Sequence, residues 1–377
     1  MSSMEIDRRK FLSLGPAALA GLSATPSGAG YAGQQGEALF AACARLDNGQ
    51  FAAVIVTAKG HLIDTIPLSG RGHDVTCSPN GAQMVVFARR PGTFAVAVDL
   101  KNRRPPVLFT APHDRHFYGH GAFSSDGRLL YATENDFENA RGIIGIYDVE
   151  SGFSRKGEFA THGIGPHDVL LTEGGKTLCV ANGGIETHPA AGRAKLNLHS
   201  MKPSIAFIDT QTGDLLSKHE PTTALHRLSL RHMCRSSDDR IWFAAQWEGS
   251  VDEAPILVGH VGRDTALTFC KAEETFGIDM KGYIGSIAAS GDSTMIAASA
   301  PRAGATVFID AGSGQVVGRK SVLDGCGVAA LSQNTFLISS GTGELHSSHK
   351  TSGQKEPYRL NGLAFDNHML RLSSPVG

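Results

Sequence analysis

Residues 72–88, with the sequence GHDVTCSPNGAQMVVFA, decide the fold of this chain. A short apolar run follows His73, a Ser-Pro-Asn-Gly turn interrupts it, and a second apolar run begins at Met84. Two such runs joined by a polar, glycine-containing turn are typical of a β-hairpin. The same order recurs in residues 119–133 (GHGAFSSDGRLLYAT) and in residues 166–181 (PHDVLLTEGGKTLCVA). The chain therefore contains an internal repeat with a histidine at the head of each unit.

This repeat predicts a seven-bladed β-propeller. The histidines of the three units are 47 residues apart, and four short strands in about 45 residues is the period of a propeller blade. Six full units can be followed along the chain, whereas residues 38–68 contain only three strands and residues 362–370 contain one more. We expect this last strand to complete the first blade, because closing the ring removes exposed sheet edges. A pair of β-sandwiches is the alternative, which the regular period disfavours.

Composition is consistent with one large all-β domain over residues 38–377. The 377 residues carry a formal net charge of −1, and 41% of them are hydrophobic. Such a chain can bury a substantial core. The near-neutral charge argues against a nucleic-acid partner, because binders of nucleic acid carry a basic excess. None of the six cysteines lies in a CxxC pattern, so we expect buried free thiols rather than a zinc ribbon or covalent haem.

The N-terminal residues predict export. Residues 7–12 (DRRKFL) contain paired arginines, and a short, mildly apolar stretch and small residues follow them. This order is typical of a twin-arginine signal peptide, which we place at residues 1–32. The apolar stretch is too short and too rich in glycine and serine to span a membrane. The sequence therefore predicts a periplasmic protein with no transmembrane segment after processing.

Four histidines at the heads of blades are the candidate metal ligands. His73, His120, His167 and His232 each begin the first strand of a unit, and in a propeller the first strands line the central channel. We therefore expect their side chains to converge on one channel mouth. Imidazole ligands suit iron, copper or zinc. The alternative is a structural role, in which each histidine forms hydrogen bonds within its own blade.

Polar loop residues are expected beside these histidines. The loops between second and third strands follow the blade-head histidines at an offset of 15 residues in three units. An anion or carbohydrate held by arginine is a rival occupant to a metal ion. The insertion at residues 183–202 is expected to cover part of the channel mouth. The predicted cofactor-binding residues are Arg89, Arg90, Glu134, Asn135, Asn182, Arg231 and Arg302.

Eight sequence motifs together resemble one known family. They are residues 70–73 (GRGH), 87–93 (FARRPGT), 115–124 (RHFYGHGAFS), 163–167 (GIGPH), 181–189 (ANGGIETHP), 195–198 (KLNL), 231–233 (RHM) and 282–286 (GYIGS). The family that they resemble is domain-of-unknown-function family 1513. The similarity runs from about Phe40 to the C-terminus, and it implies a bacterial, exported seven-bladed propeller with no established reaction. Members of this family are often encoded near imelysin-type iron-regulated proteins, which implies an accessory role in periplasmic metal handling. Metal-uptake or redox proteins of the periplasm are the partners that this role implies.

The leading hypothesis is an exported accessory or binding protein that holds a transition-metal ion at a histidine-rich face. An enzyme is the second hypothesis, either a metal-dependent oxidoreductase or a lactonase-like hydrolase that uses the same face. The third is a protein-interaction platform whose histidines are structural. The sequence contains no GxSxG, HExxH or P-loop signature, and its Gly-rich pieces lack the strand–helix context of a dinucleotide site. We therefore expect no nucleotide cofactor.

Overall fold

Seven four-stranded antiparallel sheets form a ring in the computed structural model, which describes residues 37–348 and 356–373. The predicted signal peptide at residues 1–32 lies outside the described residues. Within the described ranges, no helix has the length and apolar character needed to cross a membrane. The predicted all-β, seven-bladed propeller is confirmed.

The first blade is assembled from both ends of the described chain, as the sequence predicts. Its strands lie in the order β28-β1-β2-β3, with every neighbouring pair antiparallel. The last strand pairs with the first from Phe40 opposite Arg371 to Leu46 opposite Leu363. This pairing closes the ring. The strands of this blade are β1 (Leu39–Leu46), β2 (Phe51–Thr57), β3 (Leu62–Leu68) and β28 (Leu363–Arg371).

Each of the other six blades uses four consecutive strands. The second to fourth blades contain β4 (Gly72–Cys77), β5 (Gln83–Ala88), β6 (Phe94–Asp99), β7 (Val107–Thr110), β8 (Arg115–Phe123), β9 (Leu129–Asp136), β10 (Arg141–Asp148), β11 (Ser154–Ala160), β12 (Pro166–Thr172), β13 (Thr177–Asn182), β14 (Ser204–Asp209) and β15 (Leu215–His219). The fifth to seventh contain β16 (Leu228–Arg235), β17 (Ile241–Trp247), β18 (Val258–Gly262), β19 (Thr265–Phe269), β20 (Ser286–Ala289), β21 (Met295–Ala300), β22 (Ala305–Asp310), β23 (Val316–Ser321), β24 (Gly325–Ala330), β25 (Phe336–Ser340), β26 (Glu344–Ser348) and β27 (Tyr358–Arg359).

Serine-headed turns fix the hairpins between the first and second strands. Ser78 Oγ accepts a hydrogen bond of 2.9 Å from the backbone N–H of Gln83, and Ser124 Oγ accepts one of 2.9 Å from Leu129. Gly81 follows in the left-handed region at φ 66°, where a Cβ would be strained. The Ser-x-Asn/Asp-Gly pattern in the repeat therefore specifies both the turn and the register of the strands beside it.

The first strand of each sheet lines the central channel. These strands are β28, β4, β8, β12, β16, β20 and β24, and each contacts the next around the ring. Hydrophobic side chains of the second and third strands fill the spaces between blades. Outside the sheets, the described residues contain one short α-helix, α1 (Phe276–Asp279), and several 3-10 turns, two of them in the insertion after β13. The ring thus presents seven strand segments to a shared axis.

All six cysteines are free, as the sequence predicts. Cys43, Cys179, Cys270 and Cys326 are buried, and the other two are partly buried. Burial raises the pKa of the Cys43 thiol well above its ordinary value. These thiols are therefore protonated members of the packed interior at neutral pH.

Candidate metal centre

Five histidines from five blades meet in the central channel. His73 lies on β4, His120 on β8, His167 on β12 and His232 on β16, so the structure brings together the four histidines that the sequence singles out. The fifth is His368 on β28. All five are buried. We call these residues the five-histidine cluster.

A β-bulge positions each of these side chains. In the second blade the pairing of β4 with β5 shifts between Gly72 and Val75, which leaves His73 and Asp74 in the bulge. A bulge adds a residue that the neighbouring strand does not pair, and it re-aims the side chain it carries. The shifts in the other four blades enclose His120, His167, His232 and His368.

Potential ligand atoms in two triads of these rings lie close enough together to hold an ion. Ring centroids are 4.5 Å apart for His232 and His368, 4.6 Å for His167 and His232, and 4.9 Å for His73 and His120. Two triads have potential ligand atoms that all lie within 4.8 Å of one another. One triad is His73, His120 and His368, and the other is His120, His167 and His232. His120 belongs to both triads and is therefore central to the cluster.

Each ring of the cluster keeps one buried nitrogen without a hydrogen-bond partner among the described residues. These atoms are Nδ1 of His73, His167 and His232, and Nε2 of His120 and His368. Leaving a buried polar atom unpaired costs about 1–3 kcal/mol, so five such atoms in one place are unfavourable unless something binds them. Imidazole nitrogens are ligands for zinc, copper and iron. The donor set of this cluster therefore fits a transition-metal ion.

Two carboxylates orient His120. Asp74 Oδ2 lies 3.0 Å from His120 Nδ1, and Asp168 Oδ1 lies 3.5 Å from the same nitrogen. The other oxygen of Asp168 accepts a hydrogen bond of 2.8 Å from the backbone N–H of Met233 in the next blade. Carboxylates in this position hold the proton on Nδ1 and leave Nε2 available to a metal. Asp74 and Asp168 therefore act as positioning residues.

A third carboxylate links the cluster to the arginines above it. Asp366 Oδ1 lies 3.9 Å from His73 Nδ1, which is too far for a hydrogen bond, and 2.9 Å from a guanidinium nitrogen of Arg89. The other Asp366 oxygen accepts a hydrogen bond of 2.5 Å from Arg71 Nε. Despite burial, His73 and these two arginines lower the pKa of Asp366 below its ordinary value. Asp366 is therefore a carboxylate that anchors two cations beside the cluster.

Burial keeps most of the cluster neutral. It lowers the pKa of His73 to about 4, and it lowers the pKa of the cluster histidines on β12, β16 and β28 well below the ordinary value. Burial acts on His120 in the same direction, but the carboxylates of Asp168 and Asp74 outweigh it and raise the pKa of His120. Burial also raises the pKa of Asp168 to about 6. Neutral imidazole is the form that coordinates metals.

We expect the metal-free protein to lose stability on mild acidification. An unfolded histidine binds a proton near pH 6.5, whereas folded His73 does so only near pH 4. The unfolded chain therefore binds more protons in this window. As the pH is lowered, the free energy of unfolding decreases by about 1.4 kcal/mol per pH unit for each net proton. His120 and Asp168, whose pKa values are raised, oppose this trend, but the four lowered histidines outnumber them.

The measurement is Tm by calorimetry of EDTA-treated, dialysed protein between pH 7.5 and pH 5.5. We expect Tm to fall through this range, and the fall to be shallower in His73→Asn, which removes one of the four histidines. A Tm that stays level between these pH values contradicts the expectation.

His368 is the cluster member that the blade-head pattern does not reveal. It belongs to the last strand, which has no following hairpin of its own, and the heads of the repeat units therefore leave it out. A signal is nevertheless present, because His368-Met369 repeats the His232-Met233 pair of the fifth blade. Once residues 362–370 are assigned to the first blade as its inner strand, His368 takes the place of a blade-head histidine.

An arginine-rich cavity opens above the cluster. It has a volume of about 220 Å³, and three cluster histidines, His73, His167 and His232, reach its wall. Four of the predicted cofactor-binding residues line it, namely Arg89, Arg90, Arg231 and Arg302. We call it the mouth cavity. Its remaining lining residues are Tyr118, Arg193, Lys195, Gln246, Trp247, Glu248, Tyr283 and Asn367. Arg193 and Lys195 belong to the insertion, which covers this mouth as predicted.

Glu134 is placed elsewhere, contrary to the sequence-based expectation. It lies within β9 rather than in the following loop, and its side chain is fully buried. Tyr147 donates a 2.5 Å hydrogen bond to one of its oxygens, and Arg155 donates one of 2.9 Å to the other. Both partners lie on outer strands of the same blade, and Glu134 does not line the mouth cavity. Glu134 is therefore part of an ion network inside the third blade.

The two predicted asparagines also hold the fold together rather than line the mouth cavity. The Asn135 amide donates to His116 Nε2 at 3.0 Å and to the backbone carbonyl of Thr187 at 3.1 Å, which fastens the insertion to the third blade. The Asn182 amide donates to the backbone carbonyl of Thr161 at 3.0 Å. Asn135 is the penultimate residue of β9, and Asn182 is the last residue of β13. The 15-residue offset correctly locates the mouth, but side-chain direction alternates along a strand and a constant offset does not determine it.

Comparisons with known proteins agree with this architecture. No sequence among curated proteins matches the chain. Among solved structures, a chain of Kuenenia stuttgartiensis Hydrazine Synthase is similar, with a TM-score of 0.60 over 80% of this chain and 90% of that chain. The identity is 13%, so this similarity concerns the fold alone. The family described as "Protein of unknown function (DUF1513)" matches residues 66–372, and the chain therefore belongs to the DUF1513 family.

Proposed function

We propose that this protein binds one transition-metal ion in its central channel through the five-histidine cluster, and that it serves as an exported accessory protein in metal handling. One observation carries the proposal: five buried rings from five blades each keep a nitrogen without a hydrogen-bond partner among the described residues. Carboxylates beside His120 supply the orientation that metal-ligating histidines usually receive. Nitrogen ligands of this kind take iron, copper or zinc.

The purely structural role of the histidines is the weaker alternative. It requires hydrogen bonds from each histidine within its own blade, as a blade-head histidine makes when it serves only the fold. In the cluster, the paired nitrogen of His120 faces Asp74 of the second blade and Asp168 of the fourth, not a group of its own blade. A protein-interaction platform would also give no reason to bury five imidazoles against one another.

A direct metal titration tests the proposal. Metal-free protein is titrated with Cu(II), Zn(II) and, under anaerobic conditions, Fe(II), by calorimetry at pH 7.5. We expect one ion per chain, with affinity decreasing from copper to zinc to iron as for other nitrogen sites. His260→Asn is the matched control, because His260 packs on Trp242 away from the cluster at a centroid distance of 5.0 Å. Absence of binding by all three ions contradicts the proposal.

The proposed location of this function is the periplasm. The twin-arginine motif at residues 7–12 and the family resemblance support it. Elemental analysis of protein purified from the periplasmic fraction is therefore the appropriate companion experiment. We expect a transition metal at about one equivalent, and a chain found only in the cytoplasm would contradict the export route. Metal-uptake and redox proteins of the same compartment are the proposed partners.

An enzyme remains the second candidate because the cluster is open on one side. His73, His167 and His232 reach the wall of the mouth cavity, so a molecule there can approach a bound ion. Catalytic metal sites keep such an open coordination position, whereas structural sites are closed. Oxygen consumption and lactone hydrolysis by the metal-loaded protein are the assays that distinguish an oxidoreductase or hydrolase from a binding protein.

A further inference from the structure

We propose that the mouth cavity binds a small polycarboxylate, held by arginines and positioned to contact the metal ion in the five-histidine cluster. This inference deepens the proposed function and rests on it for the metal contact. It assigns the chemical class of a second ligand, which the histidines alone do not indicate.

The wall of the mouth cavity is strongly cationic. Six cationic side chains line it, against the single carboxylate of Glu248. Glu248 pairs with Lys195 and, at 3.4 Å, with Arg231. Asp366, which lies behind the wall, pairs with Arg89 at 2.9 Å. The remaining cations have no acidic partner within 4.0 Å among the described residues. They are Arg90, Arg193 and Arg302.

The burial of two of these cations also favours a bound anion. Arg90 and Arg231 are both largely withdrawn from solvent, and burial lowers the pKa of each below its ordinary value. Removing a cation from water is unfavourable unless an anion compensates it. Arg231 shares the carboxylate of Glu248 with Lys195, and Arg90 has no carboxylate partner among the described residues. A bound anion with several negative charges would supply the missing compensation.

The volume of the mouth cavity and the side chains in its wall suit a small carboxylate that also contacts the ion. A cavity of about 220 Å³ accepts a small molecule and excludes a drug-sized one. Guanidinium groups form paired hydrogen bonds with planar carboxylates. His73, His167 and His232 belong to the same wall, so an anion held by the arginines lies next to the proposed ion. Carboxylate oxygen is itself a metal ligand, and one molecule can therefore contact both groups.

The test uses propane-1,2,3-tricarboxylate as the probe, with inorganic phosphate and glycerol for comparison. Each is titrated by calorimetry into the full-length protein loaded with Cu(II), after dialysis against metal-free buffer. We expect the tricarboxylate to bind with at least 10-fold higher affinity than phosphate, and glycerol not to bind. Binding should also change the visible absorption and electron paramagnetic resonance of the copper ion. Tighter binding of phosphate, or no binding of either anion, overturns the inference.

Variants connect the result to the cavity. Arg90→Gln should lower the affinity for the tricarboxylate at least 10-fold and leave the affinity for copper, measured without the anion, within 2-fold. Arg128→Gln is the matched control, because it removes an equal charge at a distance from the mouth cavity. Arg128 lies in the hairpin turn before β9, at the end of this strand away from the mouth, and pairs with Asp126. The control variant should change neither affinity. Equal losses of tricarboxylate affinity in Arg90→Gln and Arg128→Gln would contradict specific binding in the mouth cavity.

Failure of this inference is distinguishable from failure of the proposed function. Copper binding without any tricarboxylate binding contradicts the inference and leaves the metal site intact. Tricarboxylate binding to a protein that takes up no metal supports the arginine site and contradicts the metal-binding function. Tricarboxylate binding that leaves the copper spectra unchanged overturns the metal contact.

Discussion

Alanine at His120 should lower the affinity for a transition-metal ion at least 100-fold, more than alanine at any other member of the five-histidine cluster. His120 belongs to both triads, so its removal leaves neither of them complete. It is also the ring that Asp74 and Asp168 orient, at 3.0 Å and 3.5 Å from Nδ1. Loss of an orienting partner alone typically costs 10–100-fold in metal affinity, and loss of the oriented ligand should cost more.

The measurement is calorimetric titration of Zn(II) into metal-free variants at pH 7.5. His120→Asn is the second variant, because its amide can still donate to Asp74 while the Nε2 ligand is lost. It should reproduce the loss of affinity with a smaller loss of stability. His260→Asn should bind as the unaltered protein does. Equal, small losses for every cluster variant would show that no ring is central, and this would contradict the assignment of His120.

Deletion of residues 362–377 should abolish cooperative folding. The deletion removes β28, which pairs with β1 from Leu46 to Phe40 and contributes the buried Phe365 and Met369. Without it, the first blade has no inner strand and the inner edge of β1 has no partner. Open edges leave backbone groups unpaired and favour aggregation. We expect the truncated chain to be insoluble or to unfold without a calorimetric transition.

A point variant keeps this prediction specific. Phe365→Ala keeps the strand but removes a side chain that is 4% exposed, and it should cost about 3–5 kcal/mol of unfolding free energy. A cooperative transition in the chain that lacks β28 would show that closure by this strand is dispensable.

The fold could be predicted from the sequence because it is periodic. Short polar turns, with the sequence Ser-x-Asn/Asp-Gly in the second and third blades, indicate the hairpins, and the three-strand segment at residues 38–68 indicates that one strand must arrive from elsewhere. The blade-head position of His73, His120 and His167 then follows from the 47-residue period, and His232 heads the next unit after the insertion. Repetition makes one local pattern informative about seven places, which a non-repetitive fold does not allow.

The details of the site could not be predicted because they depend on exceptions to the period. The bulges that aim the cluster histidines leave no mark in the apolar pattern, since each adds only one or two residues to a first strand. Glu134 and Asn182 lie within β9 and β13 rather than in the loops that follow, and their side chains point into the fold. His368 follows the ring closure rather than the repeat, so it becomes visible only when the first blade is assembled.

An ion bound at the proposed metal site would be a long-range cross-link, because the last strand belongs to the first blade. His73 and His368 are 295 residues apart in the chain, yet their ring centroids are 4.7 Å apart. An ion held by both rings ties the two ends of the propeller together, and binding only the closed form stabilises it by mass action. Synthesis must reach residue 368 before all five histidine ligands exist. Binding of metal by all five would therefore indicate that the ring is complete. Since twin-arginine export carries folded chains, the proposed route would fix the choice of ion in the cytoplasm, before the protein meets the metals of the periplasm.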